Sequence, residues 1–121
     1  MKYMFIGAAA FMMLAPSFAQ AQEMTDGRYI SASRCVAYAS LSQFSNDAFD
    51  VSALNAEIAS YAPGYGARGQ AREAAGDARR AGMRAGDNER SIANLRDRRD
   101  QACAGFTSSG VVQANTTNPA S

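Results

Sequence analysis

The chain has 121 residues, no histidine or tryptophan, and twelve basic against eleven acidic side chains, a formal net charge of +1. Without histidine there is no Ser-His-Asp triad and no imidazole for a metal, and Lys2 is the only residue that can form a Schiff base. A near-neutral chain exerts little pull on nucleic acid, so that partner class is set aside.

Lys2 gives a short positive start, and Tyr3 to Ala15 then runs thirteen residues without a charge or strongly polar side chain, ended by Pro16. Ser17-Phe18-Ala19 and Ala19-Gln20-Ala21 both place small residues where a signal peptidase needs them. Residues 1–21 therefore read as a cleavable secretory signal, with cleavage after Ala21. The alternative is an uncleaved anchor, but thirteen helical residues span about 20 Å against a hydrocarbon core of roughly 30 Å. The later chain has no second apolar run of spanning length. The expected destination is a bacterial periplasm or the exterior, with no stable membrane span after cleavage.

The chain from Gln22 onward carries eleven arginines and eleven acids, so its formal charge is zero. Cys35 and Cys103 are its only cysteines, 68 positions apart. In an oxidising compartment an even count predicts one intramolecular staple. A redox pair lacks Cys-x-x-Cys spacing, and two thiols without imidazole fall short of a zinc set. Neither metal nor cofactor is expected.

Helical periodicity appears four times, and no strand-like alternation of useful length does. Over Thr25 to Phe44, Ile30, Ala37, Tyr38, Leu41 and Phe44 share one face, with Arg34 inside the same arc. Ser45-Asn46-Asp47 reads as a turn. The second segment opens at Asp50 as N-cap, with Phe49 and Leu54 as a hydrophobic staple, and its apolar arc holds Val51, Leu54, Ile58, Tyr61 and Ala62. Pro63-Gly64-Tyr65-Gly66 either turns the chain or kinks a continuous helix.

The third segment, Ala67 to Ala85, gathers Ala71, Ala74, Ala75, Ala78, Ala81, Gly82 and Ala85 in one arc while its charges lie outside it. Small side chains bury little area but allow close helix approach. Such a face suits a tightly packed bundle, a homodimer or a partner protein, and it is the candidate interaction face. The fourth segment starts near the caps Asp87-Asn88 and runs to about Phe106, with Ile92, Leu95, Ala102, Cys103 and Phe106 on one face and Arg99 in its midst. From Thr107 on, polar residues with Gly and Pro read as a disordered tail.

A charge on a core-facing stripe pairs with a carboxylate, snorkels to water, or binds an anion, so Arg34 and Arg99 are candidate buried or anion-pairing residues. Glu73 with Asp77, and Asp97 with Asp100, are laced with arginines and read as solvated salt-bridge surface. Catalysis is not expected. Charge is divided along the chain: residues 22–67 hold two arginines and five acids, residues 68–121 nine arginines and six acids.

These features predict an all-α fold. It is a small three- to four-helix up-and-down bundle over residues 22–106, with one disulfide staple, a preceding signal at 1–21 and a disordered C-terminal tail at 107–121. The expected role is that of an exported, non-catalytic module that binds another protein or itself: an envelope accessory protein, an inhibitor or a chaperone-like factor. The competing expectation is a carrier of a small anionic or lipidic ligand, in a pocket between helices lined by Tyr38, Tyr61, Tyr65 and the inward arginines.

Overall fold

The structure is a computed structural model that describes residues 23–114. The expected signal at 1–21 and the last seven residues of the expected tail lie outside the described residues. Among the described residues four α-helices carry the fold: α1 (Asp26–Ala39), α2 (Ser52–Ser60), α3 (Tyr65–Ala85) and α4 (Glu89–Thr107). A 3-10 turn (Ser42–Phe44) follows α1, and a two-residue strand β1 (Phe49–Asp50) pairs antiparallel with β2 (Gln113–Ala114).

The helix starts follow from their caps. Thr25 Oγ1 accepts the Arg28 N–H and Asn88 Oδ1 accepts the Ser91 N–H, each satisfying a first-turn amide. Asp50 acts one position earlier than expected. Val51 is the cap residue by backbone, while the Asp50 carboxylate accepts both the N–H and the hydroxyl of Ser52. The segment 61–64 is an extended break between two separate helices and not a kink, since α2 ends at Ser60 and α3 opens at Tyr65. Gly86, at a φ of 52°, ends α3 and reverses the chain into α4, a conformation that favours glycine.

The helices run up, down, up, down, as expected, but their neighbours differ from chain order. The main packing is α1 on α3 and α1 on α4; α2 lies on α1 and barely meets α3. Asp26 and the Gly64 amide join the N-terminal ends of α1 and α3, and Leu41 and Gln43 meet Gly82 at their other ends, so α1 and α3 are parallel. Cys35–Cys103 and the Arg28–Phe106 stack set α4 antiparallel to both. The short α2 returns the chain along the flank of α1.

Helix α1 is thus the hub, and this corrects the expected position of its buried face. Its fully buried residues are Ala32, Cys35 and Tyr38, an arc turned by about 120° from the predicted one at 100° per residue. Arg34 is exposed. The helix also stops at Ala39 instead of reaching Phe44, so Leu41 and Phe44 enter the core from the following turn.

The core has two parts. Tyr38, Leu41, Phe44, Ala78, Ala81, Ala85 and Leu95 fill one end, and Ala32, Leu54, Phe106, Val112 and the disulfide fill the other. Cys35 and Cys103 are wholly buried. Along α3 the seam is close: a Cβ on Gly82 would stand 2.8 Å from Leu41 Cδ2.

The expected tail is ordered over its first part. Helix α4 continues through Thr107, Gly110 turns at a φ of 86°, and the Val111 and Val112 amides donate to the Phe106 carbonyl. Val112 then packs, 3% exposed, beside the disulfide, and β2 closes on β1. Polar composition missed this because a single buried valine and two strand pairings suffice to hold the segment. Val112→Ala is expected to cost about 1–2 kcal/mol, from two lost methyl groups and partial collapse of the space. Urea unfolding checks this, and an unchanged midpoint would show the segment adds nothing to stability.

Candidate functional site

The most highly connected polar group is Arg99. It is 6% exposed, and its charge is held on both sides: Nη1 donates to Asp47 Oδ2 at 2.7 Å, and Nε and Nη2 donate to Asp100 Oδ1 at 3.0 Å. The guanidinium lies 4.1 Å from the centre of the Phe49 ring and 4.8 Å from that of Phe44. Arg96 adds a second hydrogen bond to Asp47 Oδ2 at 3.2 Å. Burial pushes the Asp47 carboxyl up, but the hydrogen bonds and charges of Arg99 and Arg96 outweigh it and hold the group below its ordinary range. Each of the three guanidinium nitrogens of Arg99 therefore donates within the chain, which fits a brace tying α4 to the turn after the 3-10 segment.

Arg34 stands exposed elsewhere, so the structure does not bring Arg34 and Arg99 into one anion site. The tyrosines do not converge either. Tyr38 is buried in the core, and Tyr65 is 98% exposed at the start of α3. The Tyr61 hydroxyl donates to Asp26 Oδ1 at 2.7 Å while its ring leans on Tyr29. That hydrogen bond, with one from the Gly64 amide, holds the Asp26 carboxyl below its ordinary range and raises the Tyr61 phenol. The three tyrosines do not share one pocket, because Tyr38 is buried toward the far end of α1 while Tyr61 and Tyr65 lie near the Asp26 end.

The alanine face is also reassigned. Ala71, Ala74, Ala78, Ala81, Gly82 and Ala85 are buried and Ala75 is half-buried, and α3 packs chiefly on α1. The face is consumed by the chain's own helix seam. Ala75 and Gly82, at its margin, also border open space.

What remains open is the space left because α2 and α3 both lean on α1 but hardly touch one another. A recess of 320 Å³ has Ser33, Val36 and Ala37 of α1 as its floor, Asn55 and Ile58 as one wall and Ala75 and Arg79 as the other. It adjoins a second recess of 590 Å³ that reaches Gln43, Gly82, Met83, Gly86 and Asp87. Ser40, Leu41 and Arg79 line both, so the two form one trough. The Gln43 amide, donating to the Gly82 carbonyl at 2.8 Å, fixes the far end. Met83, 76% exposed, stands on the rim.

Arg79 is the one arginine that lines the trough. At 100° per residue Arg68 and Arg72 fall within about 40° of it on α3, and Arg72 borders a separate recess with Glu73 and Arg80. Among the described residues none of the three has an ion-pair partner, whereas Arg80 pairs with Asp77 on the other flank of the helix. Glu57 of α2 points away, about 160° around that helix from Asn55 by the same spacing. Asp87, at the far end, is the one carboxylate among the lining residues.

Sequence reasoning missed this trough because it depends on which helices fail to meet. The available signal was Arg79 standing one helical turn from Ala75 at the margin of the alanine arc. Among the described residues there is no cluster of three or more metal-ligating side chains and no free cysteine. No described helix is long and apolar enough to cross a membrane. Comparison with family models, curated proteins and solved structures finds no match.

Proposed function

We propose that this chain is a small exported, non-catalytic protein-binding module whose recognition surface is the trough between α2 and α3. One observation carries the reading: an apolar-floored groove beside Arg79, which has no ion-pair partner among the described residues. Elsewhere the fold spends its special groups on itself, with Arg99 braced, the cysteines joined and the alanine seam closed. Export accounts for the stapled cysteines and rests on the sequence of residues 1–21.

A photo-crosslinking residue at Asn55 or at Arg79 in cells producing the full chain is expected to capture one and the same protein. Ala93, exposed on α4, serves as the control position. The captured protein, identified and purified, is then expected to bind the oxidised chain and to lose about tenfold in affinity to Ser40→Trp, which fills the junction of the two recesses. If Asn55 and Arg79 capture nothing beyond what Ala93 does, the reading fails.

The recess volumes, 320 and 590 Å³, also fall in the small-ligand range of about 300–1,000 Å³, and Arg79 touches both. A carrier of a small anionic or lipidic ligand is the second reading. A stoichiometric small-molecule adduct in the native mass spectrum of the purified protein favours it.

A further inference from the structure

Resting on the second reading of the trough, we infer that the 320 Å³ recess takes a single-chain fatty acid, with its carboxylate on Arg79 and its acyl chain along the floor. Val36, Ala37 and Ile58 are half-buried: each packs on the core from one side and leaves its other side to the recess. Ser33 adds no free proton there, because its hydroxyl donates to the Tyr29 carbonyl at 2.9 Å. Arg79 is the only charged residue lining this recess, and among the described residues it has no ion-pair partner. An apolar floor with one unpaired cation at its edge is the complement of an amphiphile with one negative charge.

The count of charges selects the head group. A guanidinium offers two parallel N–H donors, which match the two oxygens of a carboxylate. A phosphate monoester or a diacid brings a second negative charge, and the other ionic group lining the trough is Asp87, which repels it. The volume lies at the lower end of the range of about 300–1,000 Å³ for ligand sites, which suits one acyl chain and not the two of a diacyl lipid. A second copy of the chain does not supply the apolar part. Among the described residues the exposed large hydrophobics are Tyr65 and Met83, so no described helix has a free apolar stripe to lay on the floor.

The test uses residues 22–121 in oxidised form, with dodecanoate, dodecanol and dodecyltrimethylammonium as probes, each below its micellar concentration. Calorimetry is expected to show dodecanoate binding one to one, dodecanol about fivefold more weakly, and the cationic amphiphile not at all. Arg79→Gln is expected to lower the dodecanoate affinity about fivefold, the upper end for an exposed ion pair, and to leave dodecanol unchanged at unchanged circular dichroism. Arg79→Lys keeps the charge without the fork and is expected to fall between the two. Ser40→Trp, at the junction of the two recesses, is expected to weaken dodecanoate and dodecanol alike.

Equal affinity for dodecanoate and dodecanol overturns the inference, as does undiminished dodecanoate binding by Arg79→Gln. If dodecanoate does not bind while the native mass spectrum shows another stoichiometric adduct that Ser40→Trp loses, the carrier reading stands and the fatty acid falls. If neither dodecanoate nor any adduct is found, both fall together.

Discussion

Replacing both cysteines, as Cys35→Ser with Cys103→Ser, is expected to produce the largest stability loss of any conservative change in this chain. The bond joins positions 68 apart and crosses from the hub helix α1 to the last helix α4. Closing a loop of that length removes denatured-state entropy worth about 4 kcal/mol in the chain-entropy account. For a domain under 100 residues this corresponds to a fall of roughly 15–30 °C in Tm. The hydroxyls add to the loss, because both positions are wholly buried beside Leu54, Phe106 and Val112, where a serine needs a hydrogen-bond partner. Thermal circular dichroism of the variant, and of the wild type with and without reductant, measures the effect. A shift of only a few degrees would show that helix packing alone holds α1 to α4.

Arg99→Ala is expected to cost about 3 kcal/mol, the lower end for breaking a buried ion pair, since the Asp47 side chain keeps 26% of its exposure. The change strips Asp47 of its shorter arginine contact and empties the space between Phe44 and Phe49. Arg99→Met keeps the aliphatic stem there and is expected to lose less. The ionic part has a pH signature. Asp47 is held below its ordinary value of 3.8, so its stabilising contribution is complete above that value and disappears as pH falls through 3.8 toward the lower folded-state value. Asp47→Asn removes that dependence, and its urea midpoint is expected to fall less steeply than that of the wild type below about pH 4. Asp26 and Asp50 are lowered as well, by Tyr61 and Ser52 respectively, so some acid sensitivity persists in the variant. Identical slopes for the two proteins would mean that the Asp47–Arg99 pair adds nothing to folding.

How much of this could be read from residues alone depends on the range of the interaction. Asn88 was legible as a cap because a cap is decided within three residues. The buried arc of α3 was legible because alanines at helical spacing exclude every other face, and Cys35 and Cys103 had only each other. Arg34 and Arg99 show the limit. Each lay on an apolar arc, but only Arg99 has a carboxylate brought to it, by Asp47 from a turn 52 residues away. Asp47 was visible as a turn former and not as a counter-ion, for nothing local marks a distant pairing. The α1 face was misplaced for a related reason. A helix contacted by three others has no single buried stripe, so a search for one arc finds only part of the core. The trough was the least legible feature, since it is defined by two helices that share a neighbour and avoid each other.

The hub position of α1 also governs the order of assembly. Helices adjacent in sequence contribute the lesser contacts, and the principal ones join α1 to α3 and α4 across long stretches of intervening chain. Loop-closure entropy must be met before those contacts form, so folding is slower than for a bundle in which each helix packs on its predecessor. On a chain delivered from its N-terminus, α1 emerges first and waits longest. Until α4 follows, Cys35 has no mate within the chain and its helix has no cover. The interval between the first helix and the last is therefore the period in which this protein is open to mispairing, and its length is set by topology.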